Sequence, residues 1–264
     1  LVREQVRVAE GHRLSFVQND LRINGHAIEA RLYAEDPENN FFPVSGTAVR
    51  FEPDPLTPVR VDSGIESGSI VPIYFDPMLA KLTAHAPTRE EAAMRLASAL
   101  AKLRISGLVT NRDFLVNTLR HPAFLSGDTT TEFIEKHSPA RSRQCEAGEL
   151  PFALLAAALT ASAHRNRERS VLKGVPVGWR NNRSTLETTR YAFRAQEFAI
   201  GHAQERDGSL TCTIDEESHI VRRFAAPEGQ LTLEIDGVRR TASVLVRDDQ
   251  VWVQTAHGEI VLRE

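Results

Sequence analysis

Glu29, Arg31 and Tyr33 stand at alternate positions of the stretch Gly25-His26-Ala27-Ile28-Glu29-Ala30-Arg31-Leu32-Tyr33-Ala34-Glu35-Asp36. Ile28, Ala30 and Leu32 fill the positions between them, so an extended chain puts the apolar set on one face and the polar set on the other. A carboxylate, a guanidinium and a phenol then follow one another at about 7 Å intervals. The bland reading of such a row is a solvated ion-pair ladder with no chemistry. A second polar cluster, Tyr74-Phe75-Asp76-Pro77-Met78-Leu79-Ala80-Lys81-Leu82, offers Asp76 and Lys81. Asp before Pro is a turn opener in its own right. The functional alternative puts Asp76 and Lys81 at the cavity that Glu29 and Arg31 face.

Asn24-Gly25 is the dipeptide of a tight type I′ hairpin, which makes Leu21 and Ile23 the expected partner strand of the Glu29–Tyr33 row. Before it, Leu1, Val2, Gln5, Val6 and Ala9 share a helical face that Gly11 ends. No cap residue precedes Leu1, so the chain is expected to be a piece of a longer polypeptide. After it come Thr47 to Phe51 as a strand, a proline-rich connection over 52–58, and a strand around Arg60. Thr88-Arg89-Glu90-Glu91 is a capping box ahead of the stripe Ala93, Leu96, Ala97, Leu100 and Leu103. Asn111 is the expected cap of a second helix, and Thr129-Thr130-Thr131-Glu132 the capping box of a third. Residues 1–137 therefore read as an α+β unit and the polar segment 138–149 as a linker.

An alanine-rich helix begins at Pro151, with acids before it and arginines at its far end, as the helix dipole favours. It is apolar all round and must be enclosed. The remainder supplies the enclosure: alternating runs at 191–203, 210–224, 231–235, 238–246, 251–255 and 260–262, separated by Asp207-Gly208, Asp236-Gly237 and His257-Gly258. An antiparallel β-barrel around a central helix is the expected form of residues 150–264. Between helix and strands, Trp179, Arg180 and Asn181 on a Gly/Pro-framed loop have the composition of a partner-binding hot spot, or Trp179 plugs one end of the barrel.

Of the 264 residues 41% are hydrophobic and 25% charged, with net charge −3, so no basic field points to nucleic acid. Cys145 and Cys212 form no C-x-x-C pair, the nine histidines show no metal-binding spacing, and no apolar run reaches membrane-spanning length. These features predict a reduced, cytoplasmic chain with no metal site of its own.

The motifs Gly25–Arg31, Ala34-Glu35-Asp36-Pro37, Phe42-Pro43…Gly46, Tyr74–Leu82 and Gly107-Leu108-Val109-Thr110-Asn111 occur in an order that resembles the C-terminal third of biotin carboxylase, an ATP-grasp enzyme. His121-Pro122-Ala123-Phe124 and Gly127–Thr131 continue the likeness. Residues 150–264, with Val175-Pro176-Val177-Gly178-Trp179-Arg180-Asn181, resemble the mediating (BT) domain of biotin-dependent acyl-CoA carboxylase α subunits of the acetyl-/propionyl-CoA type.

The resemblance implies an enzyme in which ATP activates bicarbonate as carboxyphosphate and a carboxyl group moves to a ureido nitrogen of biotin, for transfer to acetyl-CoA, propionyl-CoA or a related acyl-CoA. It implies that Arg31 and Asp76 are catalytic, Arg31 holding the ureido oxygen and Asp76 lying in the biotin and subunit-interface region, and that Glu29 and Lys81 support them. It further implies that Arg60 makes a dimer contact and Thr131 lies beside the nucleotide. The cofactors implied are biotin, ATP and Mg2+ or Mn2+, and the partners are the carboxyltransferase β subunit, a biotin carboxyl carrier domain and further copies in an oligomer. The glycine-rich phosphate loop, the metal-binding glutamates and the biotin-accepting lysine of that family have no counterpart in these 264 residues. A non-catalytic assembly module that docks a partner subunit is the alternative.

Overall fold

The computed structural model describes residues 1–168, 170, 186–205, 207–227 and 229–264. The first half runs α1 (Val2–Ala9), β1 (His26–Tyr33), β2 (Glu35–Asp36), β3 (Phe42–Pro43), β4 (Gly46–Thr47), β5 (Arg50–Glu52), β6 (Arg60–Ser63), β7 (Ile70–Val71) and β8 (Met78–Ala86). Then follow α2 (Arg89–Lys102), β9 (Arg104–Ser106), α3 (Arg112–Arg120), α4 (Pro122–Ser126) and α5 (Phe133–His137).

The centre of this half is an antiparallel sheet in the order β1-β8-β6. The register sets Ile28, Ala30 and Leu32 opposite Ala84, Leu82 and Ala80, and all six are buried. They pack with Ala92, Ala93, Leu96, Ala97 and Leu100 of α2 in one core. The Thr88–Glu91 capping box forms and starts α2 where the sequence places it.

Three local expectations do not survive. Asn24-Gly25 makes no type I′ hairpin: Gly25 has φ +69°, but Asn24 is not left-handed, and that turn needs both. Residues 21 and 23 consequently pair with nothing in β1, and Ile23 is 99% exposed; β8 takes the partner role. Thr129–Glu132 forms no capping box, since Glu132 is the N-cap of α5 and makes no side-chain cap bond. Asn111 sits at the N-cap of α3 but its side chain also makes no cap bond.

The second half opens with α6 (Glu149–Glu168). The strands are β10 (Glu187–Phe193), β11 (Gln196–Gln204), β12 (Leu210–Ile214), β13 (Glu217–Phe224), β14 (Gln230–Ile235), β15 (Val238–Arg247), β16 (Gln250–Gln254) and β17 (Glu259–Arg263). These eight form a closed antiparallel barrel, with β17 returning to β10 through Ala192 and Arg263. Asp236 and Gly237 both have positive φ, as the tight turn between β14 and β15 requires. Every residue of α6 from Phe152 to Leu159 is at most 2% exposed, enclosed by Tyr191, Cys212, Val221, Leu233, Val253 and Leu262 of the wall. The runs of alanine let a barrel of this size close on a helix from all sides. No described helix is long and apolar enough to cross a membrane.

The segment before α6 lies docked on the first half: Asn117 Nδ2 donates to the carbonyls of Ala140 and Ser142, and Arg141 donates to that of Pro37. The barrel also touches the first half directly. Ser106 Oγ donates to Glu259 at 2.5 Å, Arg50 to Ser243 at 3.0 Å, and Gln254 Nε2 to the Ala101 carbonyl at 3.2 Å.

Candidate functional site

Burying Ile28, Ala30 and Leu32 leaves the other face of the β1-β8-β6 sheet to the polar residues of the same strands. Pairing then lines them up across the sheet. Arg31 lies opposite Lys81, and Lys81 opposite Asp62; Glu29 lies opposite Thr83, and Thr83 opposite Arg60. The side chains join these two rows into a chain of charges. Arg31 Nε is 3.3 Å from Glu29 Oε1, and Glu29 Oε2 is 3.9 Å from Lys81 Nζ. Lys81 Nζ is 3.9 Å from Asp62 Oδ2, which lies 2.9 Å from Arg60 Nε. Three cations and two carboxylates alternate, and the ladder begins and ends on an arginine.

Both ends of the ladder are open to solvent: 61% of the Arg31 side chain and 75% of the Arg60 side chain are exposed. Hydrogen bonding to Tyr33 first, and to Glu29 second, holds the pKa of Arg31 above the usual arginine value. It is a permanent cation. At the other end the Arg60 hydrogen bond holds the Asp62 carboxyl below the usual carboxylate range, with the charges of Arg60 and Lys81 acting the same way. Four sequence-chosen residues, Glu29, Arg31, Arg60 and Lys81, thus come together on one face.

The others lie elsewhere. Asp76 is exposed in the turn before β8, where its Oδ1 accepts the Met78 N–H at 2.8 Å. Its charge is felt by Glu35, whose pKa is raised by burial first and by Asp76 second. Its hydrogen bond is therefore that of a turn opener, and it takes no part in the ladder. Thr131 is exposed just ahead of α5. Trp179, Arg180 and Asn181 lie outside the described residues.

Sequence reasoning missed Asp62, which closes the ladder between Lys81 and Arg60. The i, i+2 spacing of Arg60 and Asp62 on one strand is the signal that finds it. It also misread Asn111, whose side chain reaches Arg31 and Tyr33 of β1.

An exposed, always-charged donor fork suits an amide-like oxygen that gains negative charge, so the ureido oxygen of biotin fits the chemistry of Arg31. A nucleotide-bound metal has no comparable seat: among the described residues no group of three or more His, Cys, Asp or Glu side chains is placed to hold one. A separate cleft of about 510 Å3 opens at the seam between the halves, lined by Glu52, Lys102, Arg104, Ser243 and Gln254 among others.

Comparison with known proteins places these features. Residues 29–136 match the family model of the biotin carboxylase C-terminal domain. Residues 150–264 match that of the methylcrotonyl-CoA carboxylase alpha-subunit BT domain. The mitochondrial methylcrotonoyl-CoA carboxylase subunit alpha of Mus musculus is 31% identical over 98% of this chain and 38% of its own length. The propionyl-CoA carboxylase alpha chain of Ruegeria pomeroyi is 33% identical over 90% of this chain, again 38% of its own length. The chain thus spans about two fifths of these relatives. Among solved structures, the biotin carboxylase domain of Hydrogenobacter thermophilus 2-oxoglutarate carboxylase, in complex with MgADP and bicarbonate, is 37% identical with a TM-score of 0.50. It covers 54% of this chain, which covers 31% of it.

Proposed function

We propose, for a chain that belongs to the biotin-dependent acyl-CoA carboxylase α-subunit family, that its sheet face forms the biotin-facing wall of the carboxylation site and its barrel docks a carboxyltransferase β subunit. The observation that carries the first part is Arg31: a tethered, exposed arginine at the end of a charge ladder, inside the residues that match the biotin carboxylase C-terminal domain. The barrel around α6 and the BT-domain match support the second. The unit boundaries 1–137, 138–149 and 150–264 are part of the same reading.

Biotin, when bound, supplies the ureido nitrogen that accepts the carboxyl group. Arg31 donates to the ureido oxygen as negative charge gathers there, and its effect is electrostatic: the donor is fixed before the reaction and needs no reorganisation during it. Glu29 and Tyr33 hold the guanidinium in place. Lys81 offsets the Glu29 charge that otherwise draws Arg31 inward, and Asp62 with Arg60 anchors Lys81. Asp76 and Thr131 are assigned the subunit-interface and nucleotide-adjacent places, and Arg60 a dimer contact. Metal and phosphate ligands for MgATP are not assigned to any of these residues.

The substrate class is an acyl-CoA. Acetyl- or propionyl-CoA is the expectation from sequence; the BT-domain match and the Mus musculus relative support a methylcrotonyl-CoA as well. The test is ATP-dependent fixation of labelled bicarbonate by the holoenzyme, first onto biotin and then onto a panel of these acyl-CoAs. Transfer to one of them supports the reading. No fixation onto biotin refutes the catalytic part and leaves the assembly module. Trp179→Ala is expected to weaken β-subunit capture by about 2 kcal/mol; unchanged co-purification removes Trp179 from the interface.

A further inference from the structure

We infer that Asn111 is a positioning residue for Arg31, acting as a one-residue strand that clamps the open edge of β1. The inference rests on the role proposed for Arg31. In the sheet order β1-β8-β6, β1 is an edge, so the backbone groups on its outer side have no strand to meet. Its pairing with β8 also falters where it matters: Arg31 and Leu32 face Lys81 and Ala80, but Tyr33 faces Met78 after a register shift. Left alone, the residues that aim Arg31 and Tyr33 would be the loosest of the strand.

Asn111 meets that edge with three hydrogen bonds. Its Oδ1 accepts the Tyr33 N–H at 2.9 Å, its Nδ2 donates to the Arg31 carbonyl at 3.2 Å, and its own N–H donates to the Tyr33 carbonyl at 3.2 Å. A carboxamide carries the donor and acceptor of a peptide group, so it can pair with a strand as another strand does. The residue is 6% exposed. An asparagine at a helix N-cap ordinarily turns its oxygen back to the helix amides; here that bond is absent and the side chain serves β1 instead. Arg31 is thereby held from both sides, by β8 and by Asn111.

The test uses the holoenzyme with Asn111→Ala, Asn111→Asp, Arg31→Ala and the double variant. Asn111→Asp keeps the acceptor for Tyr33 but loses the donor to the Arg31 carbonyl, and it gives a second measure if the alanine variant folds poorly. Displacing a reacting group by an ångström costs about 10- to 100-fold. Asn111→Ala should therefore lower kcat for biotin carboxylation by that order with the KM for ATP unchanged, and Asn111→Asp, which sets a carboxylate oxygen against the Arg31 carbonyl, should lower it at least as much. In the Arg31→Ala background the Asn111 change should add nothing. Losses that multiply in the double variant, a raised KM for ATP, or wild-type kcat in both Asn111 variants overturn the inference. Wild-type kcat in Arg31→Ala alone refutes instead the role on which it rests, and is visible before Asn111 is touched.

Discussion

Replacing Glu259 with glutamine should change how the stability of this chain depends on pH. Glu259 opens β17 at the seam between the halves, where the Ser106 hydroxyl donates to its carboxyl. Burial pushes its pKa up to about 7, while the charges of Arg112 and Arg50 and the Ser106 hydrogen bond pull it back and Asp113 adds to the rise. A carboxyl whose folded pKa lies above the ordinary 4.5 binds its proton more tightly when folded. Its contribution is complete below pH 4.5 and is lost as pH rises through 7. The full span corresponds to about 3 kcal/mol, of which about 2–3 kcal/mol falls between pH 5 and 8. Urea unfolding of the native chain and of Glu259→Gln at pH 5, 6, 7 and 8 measures it. The glutamine variant, neutral throughout, should gain on the native chain by that amount as pH rises. Two curves that stay parallel would show that Glu259 titrates as an ordinary carboxylate and that the seam does not enclose it.

Two further substitutions probe the packing. Leu155 on α6 is fully buried inside the barrel; Leu155→Ala should cost about 2–5 kcal/mol in the same unfolding measurement, and a cost under 1 kcal/mol would mean that the barrel does not close on the helix. Gly107 has φ +95°, and a Cβ there meets backbone atoms of Thr47 and Val49. Gly107→Ala should lower the melting temperature, whereas Gly11→Ala, at a similar φ but with nothing near it, should lower it less; equal effects would leave backbone strain alone as the cause.

The alternation at 28–33 is strong enough to show in the sequence which face of β1 is buried, and Asp236-Gly237 marks a hairpin that forms. What pairs with β1 is not legible there. Arg31 and Lys81 are fifty positions apart, and only the fold's register sets them side by side. Asn24-Gly25 carries half of the hairpin geometry, and the missing half lies in Asn24's backbone. Asn111 reads as a helix cap because its local neighbours favour that use; the competing partner is an open strand edge reached only through tertiary structure. Glu149 reads only as an acid before the helix that complements its dipole; the sequence does not show that it is buried, 1% exposed, and bonded to Arg143 at 2.7 Å and Thr255 at 2.5 Å. The barrel follows from its turn dipeptides and an all-round apolar helix, but its closure through β10 and β17 is a property of all eight strands together.

The central claim is that Arg31 stabilises charge on the biotin ureido oxygen, and Arg31→Ala in the holoenzyme tests it most directly. Removing a fixed donor to a developing oxyanion costs about 10²–10³-fold in kcat. Biotin carboxylation should fall by that order, with an unchanged melting temperature because the side chain is largely solvent-exposed. Carboxylation at the wild-type rate in a folded Arg31→Ala enzyme would contradict the account and return the ladder to a solvated row of ion pairs.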